Sequence, residues 1–165
     1  MRRIASLSLV LLSVLPAVGQ DSVLSSKLEF LLGKWTGMAG EKDTPLGAGQ
    51  GGFSFQTELN GKIMVRHNQA AYTSGARHED LMVIYPDAPD DKPHAIYFDS
   101  EGHVIRYILT FPSANNVVFE SEASQPGPRY RLSYWLNGAA LDGKFEVAPP
   151  GADYKTYLRW TSKKD

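Results

Sequence analysis

From residue 53 onward, apolar and polar side chains alternate one by one in short runs separated by turn residues. A period of two suits a half-buried β-strand, whose successive side chains leave opposite faces. In the first run Phe53, Phe55, Thr57 and Leu59 share one face, and Ser54, Gln56 and Glu58 share the other. Asn60-Gly61 follows, a pair that readily takes the positive φ angles of a tight hairpin. Carrying the alternation through that turn predicts Ile63, Val65, His67 and Gln69 on the inner face. Further strands are predicted over 81–85, 95–99, 104–111, 117–123, 130–136, 141–147 and 154–161, with turn residues between them. Residues 86–93 read as an acidic loop bounded by prolines, and residues 40–52 as a glycine-rich loop. Only residues 21–32 break the pattern. There Leu24, Leu28, Leu31 and Leu32 recur at helical spacing, Ser26 to Glu29 reads as a capping box, and Gly33 is a natural stop.

About ten short strands joined by hairpin turns, with no helix between them, predict an all-β, antiparallel up-and-down barrel with a short N-terminal helix. A Greek-key sandwich is the alternative, because alternation does not reveal closure. The helix leads straight into Leu31-Leu32-Gly33-Lys34-Trp35-Thr36-Gly37, a tryptophan between glycines. A buried indole would plug one end of a barrel, and the glycines would let the first strand bend around it.

The N-terminus changes the picture of compartment. Arg2 and Arg3 precede an apolar stretch over 4–15, and Ala17 and Gly19 are small residues at the positions a signal peptidase reads. The apolar run is short for a bilayer span and no stop-transfer cluster follows. The prediction is a signal peptide over 1–19, cleavage near Gly19, and one exported domain over 20–165 with no stable membrane anchor after processing. There is no cysteine, so neither disulfides nor cysteine-ligated metals contribute. The chain carries 17 basic and 18 acidic residues, and losing Arg2 and Arg3 widens the acidic excess. That balance argues against nucleic acid as a partner.

Motifs for catalysis are weak. The glycines at 47–52 precede a strand rather than a helix, so no helix N-terminus receives a phosphate. His78-Glu79-Asp80 lacks the second histidine of a zinc helix and reads as a solvated strand end. Asp99, Ser100 and His103 surround one tight turn, where Asp99 and His103 could face each other across the strands. No Gly-x-Ser-x-Gly elbow accompanies them, so a turn-stabilising hydrogen bond is the plain expectation. Glu120 and Glu122 fall on a polar face, which does not suggest a glycosidase pair. Neither metal nor cofactor is predicted.

The opening motif, the Leu-Asn-Gly-Lys hairpin over 59–62, Tyr-Pro-Asp over 85–87, Phe-Asp-Ser over 98–100 and Tyr-Leu-Arg-Trp over 157–160 together resemble the calycin superfamily. That group includes lipocalins, fatty-acid-binding proteins and haem-binding nitrobindins, and the likeness is nearest to an uncharacterised exported bacterial family. The resemblance implies a barrel around a ligand-holding lumen. It also implies that a basic side chain of the last strand covers the early tryptophan, which would pair Trp35 with Arg159 in a structural cation–π contact. The chain departs from nitrobindins in having no histidine after His103, and from fatty-acid-binding proteins in lacking an Arg-x-Tyr string on a late strand.

Phasing each strand by its apolar face turns Thr57, His67, Gln69, Ser121, Tyr130, Tyr134, Tyr154 and Thr156 inward. Tyr107 joins them if Ile105 and Leu109 mark the inner face; the strand is apolar on both faces, so Arg106 is the alternative. Such an interior is more polar than packing requires, and barrels of this size can enclose a small ligand. The sequence therefore predicts an exported, non-catalytic barrel binding a small apolar or amphipathic molecule, with His67, Gln69, Arg106, Tyr107, Tyr130, Tyr134 and Tyr154 as ligand-binding candidates. Two alternatives stand beside it. One is a barrel enzyme or haem-hosting isomerase. The other is a structural barrel whose doubly apolar strand around Arg106 meets a second subunit in a homodimer.

Overall fold

The computed structural model of the protein describes residues 23–37, 49–87, 92–122 and 127–165. The predicted leader, most of the glycine-rich loop and the middle of the acidic loop lie outside these residues. A helical turn, α1 (Val23–Leu28), runs into a 3-10 turn over Glu29–Leu31. Ten strands follow: β1 (Gly33–Gly37), β2 (Gly49–Glu58), β3 (Ile63–Tyr72), β4 (Arg77–Pro86), β5 (Pro93–Asp99), β6 (Val104–Ser113), β7 (Asn116–Ser121), β8 (Arg129–Asn137), β9 (Ala140–Ala148) and β10 (Lys155–Lys164). Each pairs antiparallel with its neighbour in the chain, and β1 pairs with β10, which closes the barrel. Closure gives every strand two neighbours, and the sandwich alternative falls.

The helical segment plugs one end. Leu28 and Leu31 are fully buried, and the Lys27 ammonium sits 5.1 Å from the Phe111 ring at the far end of β6. Ser26 lies within α1, so the expected capping box does not start the helix. Gly33 is a stop as expected, with φ of +112°. The indole N–H of Trp35 donates to the Leu31 carbonyl at 2.7 Å, tying strand to helix. A basic side chain of the last strand does cover Trp35, but it is Lys164, 5.4 Å from the ring. Register decides this, because Trp35 faces Lys164 across the seam. Arg159 instead lies outside, over Trp135 at 5.8 Å.

The inner face of β3 is the opposite of the one predicted. Glu58 faces Ile63, Phe55 faces Arg66 and Phe53 faces Asn68. Directly opposed residues share a face, so the inside passes from odd positions in β2 to even positions in β3. Met64, Arg66 and Asn68 therefore point inward, while His67 and Gln69 are exposed. The apolar triplet Ile63-Met64-Val65 hid this change of phase. Gly49–Gly52, expected as loop, belong to β2. A β-bulge between Thr156 and Leu158 resets the last strand, so that Trp160 and Ser162 face inward. Thr156 is exposed, and so is Thr57 at the end of β2.

Aromatic rings fill the middle of the barrel. Tyr134 makes tilted or edge contacts with Phe53, Phe55, Phe119 and Trp160, with centroids 5.6–6.3 Å away. Such geometry aligns positive ring edges with negative faces. Gly143 makes room for this cluster, since a Cβ there would collide with the Trp160 indole.

Candidate functional site

Beyond the aromatic layer, away from the helix, the barrel opens into a cavity of about 810 Å³. One wall is apolar, with Phe53, Ile105, Leu132, Phe145, Val147 and Trp160. The other is polar and comes from β3, β4 and β5, where Arg66, Asn68, His78, Asp80, Tyr97 and Asp99 line it.

Arg66 organises the polar wall. Its guanidinium is buried, bonded through Nη1 to Asp80, and held 5.5 Å from the Phe53 ring and 5.9 Å from the Tyr134 ring. Cations favour such ring faces, the more so away from water. Burial opposes the charge, but the Asp80 carboxylate outweighs it and raises the arginine above its ordinary value. Asp80 also accepts from Asn68 Nδ2 at 2.8 Å and pairs with His78 Nε2 at 3.0 Å. Its carboxylate is thus satisfied from three sides.

His78 stands between Asp80 and the rim. Its Nδ1 lies 3.0 Å from a Glu101 carboxylate oxygen, and the Tyr97 hydroxyl is 3.1 Å from Nε2. With a carboxylate at each nitrogen the imidazolium form donates twice. The hydrogen bond to Asp80 raises His78 above its ordinary value, against the opposing effect of burial. Desolvation drives the Tyr97 and Tyr107 phenols upward and pushes Tyr134 up to about 12, so all three are neutral donors at physiological pH. At the rim, Asp99 accepts the backbone N–H groups of Glu101 and His103, and its second oxygen lies 2.8 Å from His103 Nδ1. Burial opposes ionisation of Asp99, yet these His103 bonds outweigh it and lower the acid. Ser100 takes no part, because its hydroxyl accepts the Glu79 N–H instead. The cross-strand pair expected of Asp99 and His103 is present as a turn-stabilising bond.

Of the predicted ligand-binding candidates, Tyr107, Tyr130 and Tyr134 point inward. Tyr107 and Tyr130 line the cavity, and Tyr134 is packed against Arg66. His67 and Gln69 have the outward phase of β3, although Gln69 still borders the cavity. Arg106 is exposed, because Ile105, Tyr107 and Leu109 occupy the inner face of β6. Tyr154 precedes β10 and lies outside, its ring 4.1 Å from the Arg131 guanidinium and 4.9 Å from that of Arg129. Ser121 faces Tyr107 and accepts the Tyr130 N–H at 2.9 Å.

Sequence reasoning missed Arg66, His78, Asp80, Tyr97 and Asp99. The run Leu81-Met82-Val83-Ile84-Tyr85 is apolar on both faces and gave no phase; only the burial of Met82 and Ile84 shows that Asp80 and His78 share the inner face. For a cation, the described residues bring His78, Asp99 and Glu101 together, with one ligand atom from each within 4.8 Å of the others. No protein-family model matches this sequence, and no curated protein matches it.

Proposed function

We propose that this protein is an exported, non-catalytic barrel of the calycin kind that takes a small, mostly apolar molecule into its lumen. The observation that carries the reading is the 810 Å³ cavity with one apolar wall and one compact polar wall. Ligand pockets fall in the range of about 300–1,000 Å³ and combine apolar lining with a few placed polar groups. The apolar body of the ligand would lie against Leu132, Phe145 and Trp160, and its polar end would meet Arg66 and Tyr107. This replaces the anchors His67, Gln69 and Arg106 with residues of the opposite phase. Two polar atoms on cavity-lining residues, Arg66 Nε and Ser162 Oγ, are buried without a hydrogen-bond partner among the described residues. Unpaired polar atoms are costly, and a small shift of either side chain would let a ligand satisfy it. Export rests on the leader over residues 1–19, and N-terminal sequencing of the processed protein tests it.

The lumen is tested with Nile red, an uncharged environment-sensitive dye, titrated into wild type and into Leu132→Trp, which adds bulk to the apolar wall. Saturable one-to-one binding that Leu132→Trp abolishes supports the reading. No saturable binding by wild type, or binding that the added bulk leaves unchanged, removes it.

A further inference from the structure

The charge arrangement on the polar wall points to the chemical class of the ligand, an inference that rests on the lumen reading above. We infer that Asp80 is a specificity-determining residue that makes the lumen select an uncharged amphiphile, with an ester, ketone or similar acceptor at its head, over a carboxylate or other anion.

A buried arginine in a cavity is ordinarily a receptor for an anion, because its fork of N–H donors and its charge match a carboxylate. Here that role is already taken. Asp80 holds the Arg66 guanidinium from within the protein, and its own oxygens are further occupied by Asn68 and His78. Both members of the pair are buried, so the positive charge is neutralised where a ligand would meet it.

Among the described residues, the rest of the inner wall adds no unpaired, inward-pointing cation. Asp99 and Glu101 border the opening, and Asp99 is held ionised by the His103 bonds. The histidines there, His78 and His103, are each committed to a carboxylate. Arg77 and Arg159 reach the rim with the outward phase of their strands, and Arg159 is engaged with Trp135. The cavity-lining phenols of Tyr97 and Tyr107 are held neutral by burial, so they contribute hydroxyls without charge. An anion entering this lumen would shed its water against a wall whose inner arginine is already paired with Asp80 and whose histidines are already paired with carboxylates. A buried charge without a free partner is strongly disfavoured. A neutral acceptor loses far less on entry and still finds N–H and O–H donors on Arg66 and the tyrosines.

The test compares ligands that share one dodecanoyl or dodecyl chain. Nile red bound to the protein is displaced at about pH 7.5, where laurate is ionised, by methyl laurate, by laurate and by dodecylammonium. Methyl laurate is expected to compete about ten-fold or more better than laurate, a conservative figure given the cost of burying an unpaired charge. Asp80→Asn, which frees Arg66 while keeping an amide of the same shape, should shift the preference toward laurate by a similar factor. The proposal is overturned if laurate competes as well as the ester, if dodecylammonium beats both, or if a folded Asp80→Asn leaves the ratio unchanged. The wild-type ratio alone decides the ligand class should Asp80→Asn fold poorly. Failure of Nile red to bind at all would remove the lumen reading itself, whereas dye binding with laurate preferred removes this inference only.

Discussion

At the residue scale, the Arg66–Asp80 pair is the point where stability and the proposed binding meet. Removing one partner of a buried ion pair leaves the other charged and dry, which costs about 3–5 kcal/mol. Asp80→Ala should therefore lower the unfolding free energy measured in urea by that order, while the double substitution Arg66→Met with Asp80→Leu should recover most of the loss. Recovery by the double variant is the result that separates an electrostatic cost from lost packing. His78 carries a pH signature with a defined sign. Its hydrogen bond to Asp80 raises its folded value above the ordinary one, so the folded chain holds the proton more tightly. That contribution is full below about pH 6.5 and is lost as pH rises through the folded value. Asp99, lowered on folding, contributes in the opposite direction: its share is present above about pH 3.9 and is lost as pH falls through its folded value. Urea midpoints of wild type and His78→Asn across the neutral range should converge at alkaline pH. A gap that stays constant with pH would contradict the assignment. Trp35→Ala should cost about 3–5 kcal/mol through the cavity it leaves. Lys164→Ala should cost less, about 0.5–1 kcal/mol, and Arg159→Ala should not alter Trp35 fluorescence.

At the element scale, β3 decides which side chains form the site. Its phase follows from the pairing of Phe55 with Arg66 rather than from any preference of the strand itself. Met64→Ala on the inner face should cost about 2–5 kcal/mol, while His67→Ala and Gln69→Ala on the outer face should stay within about 0.5 kcal/mol. Chemical denaturation of the three variants checks the phase directly, because a reversed register would exchange their effects. Between β9 and β10, Gly143 meets the Trp160 ring so closely that any side chain must displace it. Gly143→Ala should therefore destabilise by about 1–3 kcal/mol, by overpacking rather than by strand propensity, and should perturb the Trp160 environment seen in near-ultraviolet circular dichroism. Strand existence was legible throughout, since alternation and turn residues report local structure. Which face was inner was legible where one face alone was apolar, as in β8 with Leu132 and Tyr134. It was not legible in β3 or β6, where apolar residues occupy both faces and the neighbours decide.

At the scale of the whole molecule, closure joins the first strand to the last, with Trp35 facing Lys164 and Gly37 facing Ser162. Contacts between residues so far apart in the chain are slow to form, and a barrel closed this way should fold on the order of milliseconds to seconds. Deleting residues 161–165 removes the partners of β1 on β10 and exposes that edge, leaving its pairing with β2. The truncated chain is expected to keep strand-dominated circular dichroism but to lose a single cooperative unfolding transition. Retention of that transition would show that the seam is dispensable. The sequence by itself determined the all-β class, the approximate strand count, the hairpin order and the tryptophan plug, because each depends on residues close together in the chain. It also placed Tyr130 and Tyr134 inside, where a single apolar face marked the phase, and left Tyr107 and Arg106 as alternatives that the pairing of β6 decided. Only the tertiary structure decided that an arginine, an aspartate and a histidine belong in the interior. Pattern reasoning sends charges outward, since an isolated buried charge is prohibitive. Arg66 and Asp80 escape that rule by meeting across two strands, and a partner fourteen positions away is a fact of pairing that no local pattern contains.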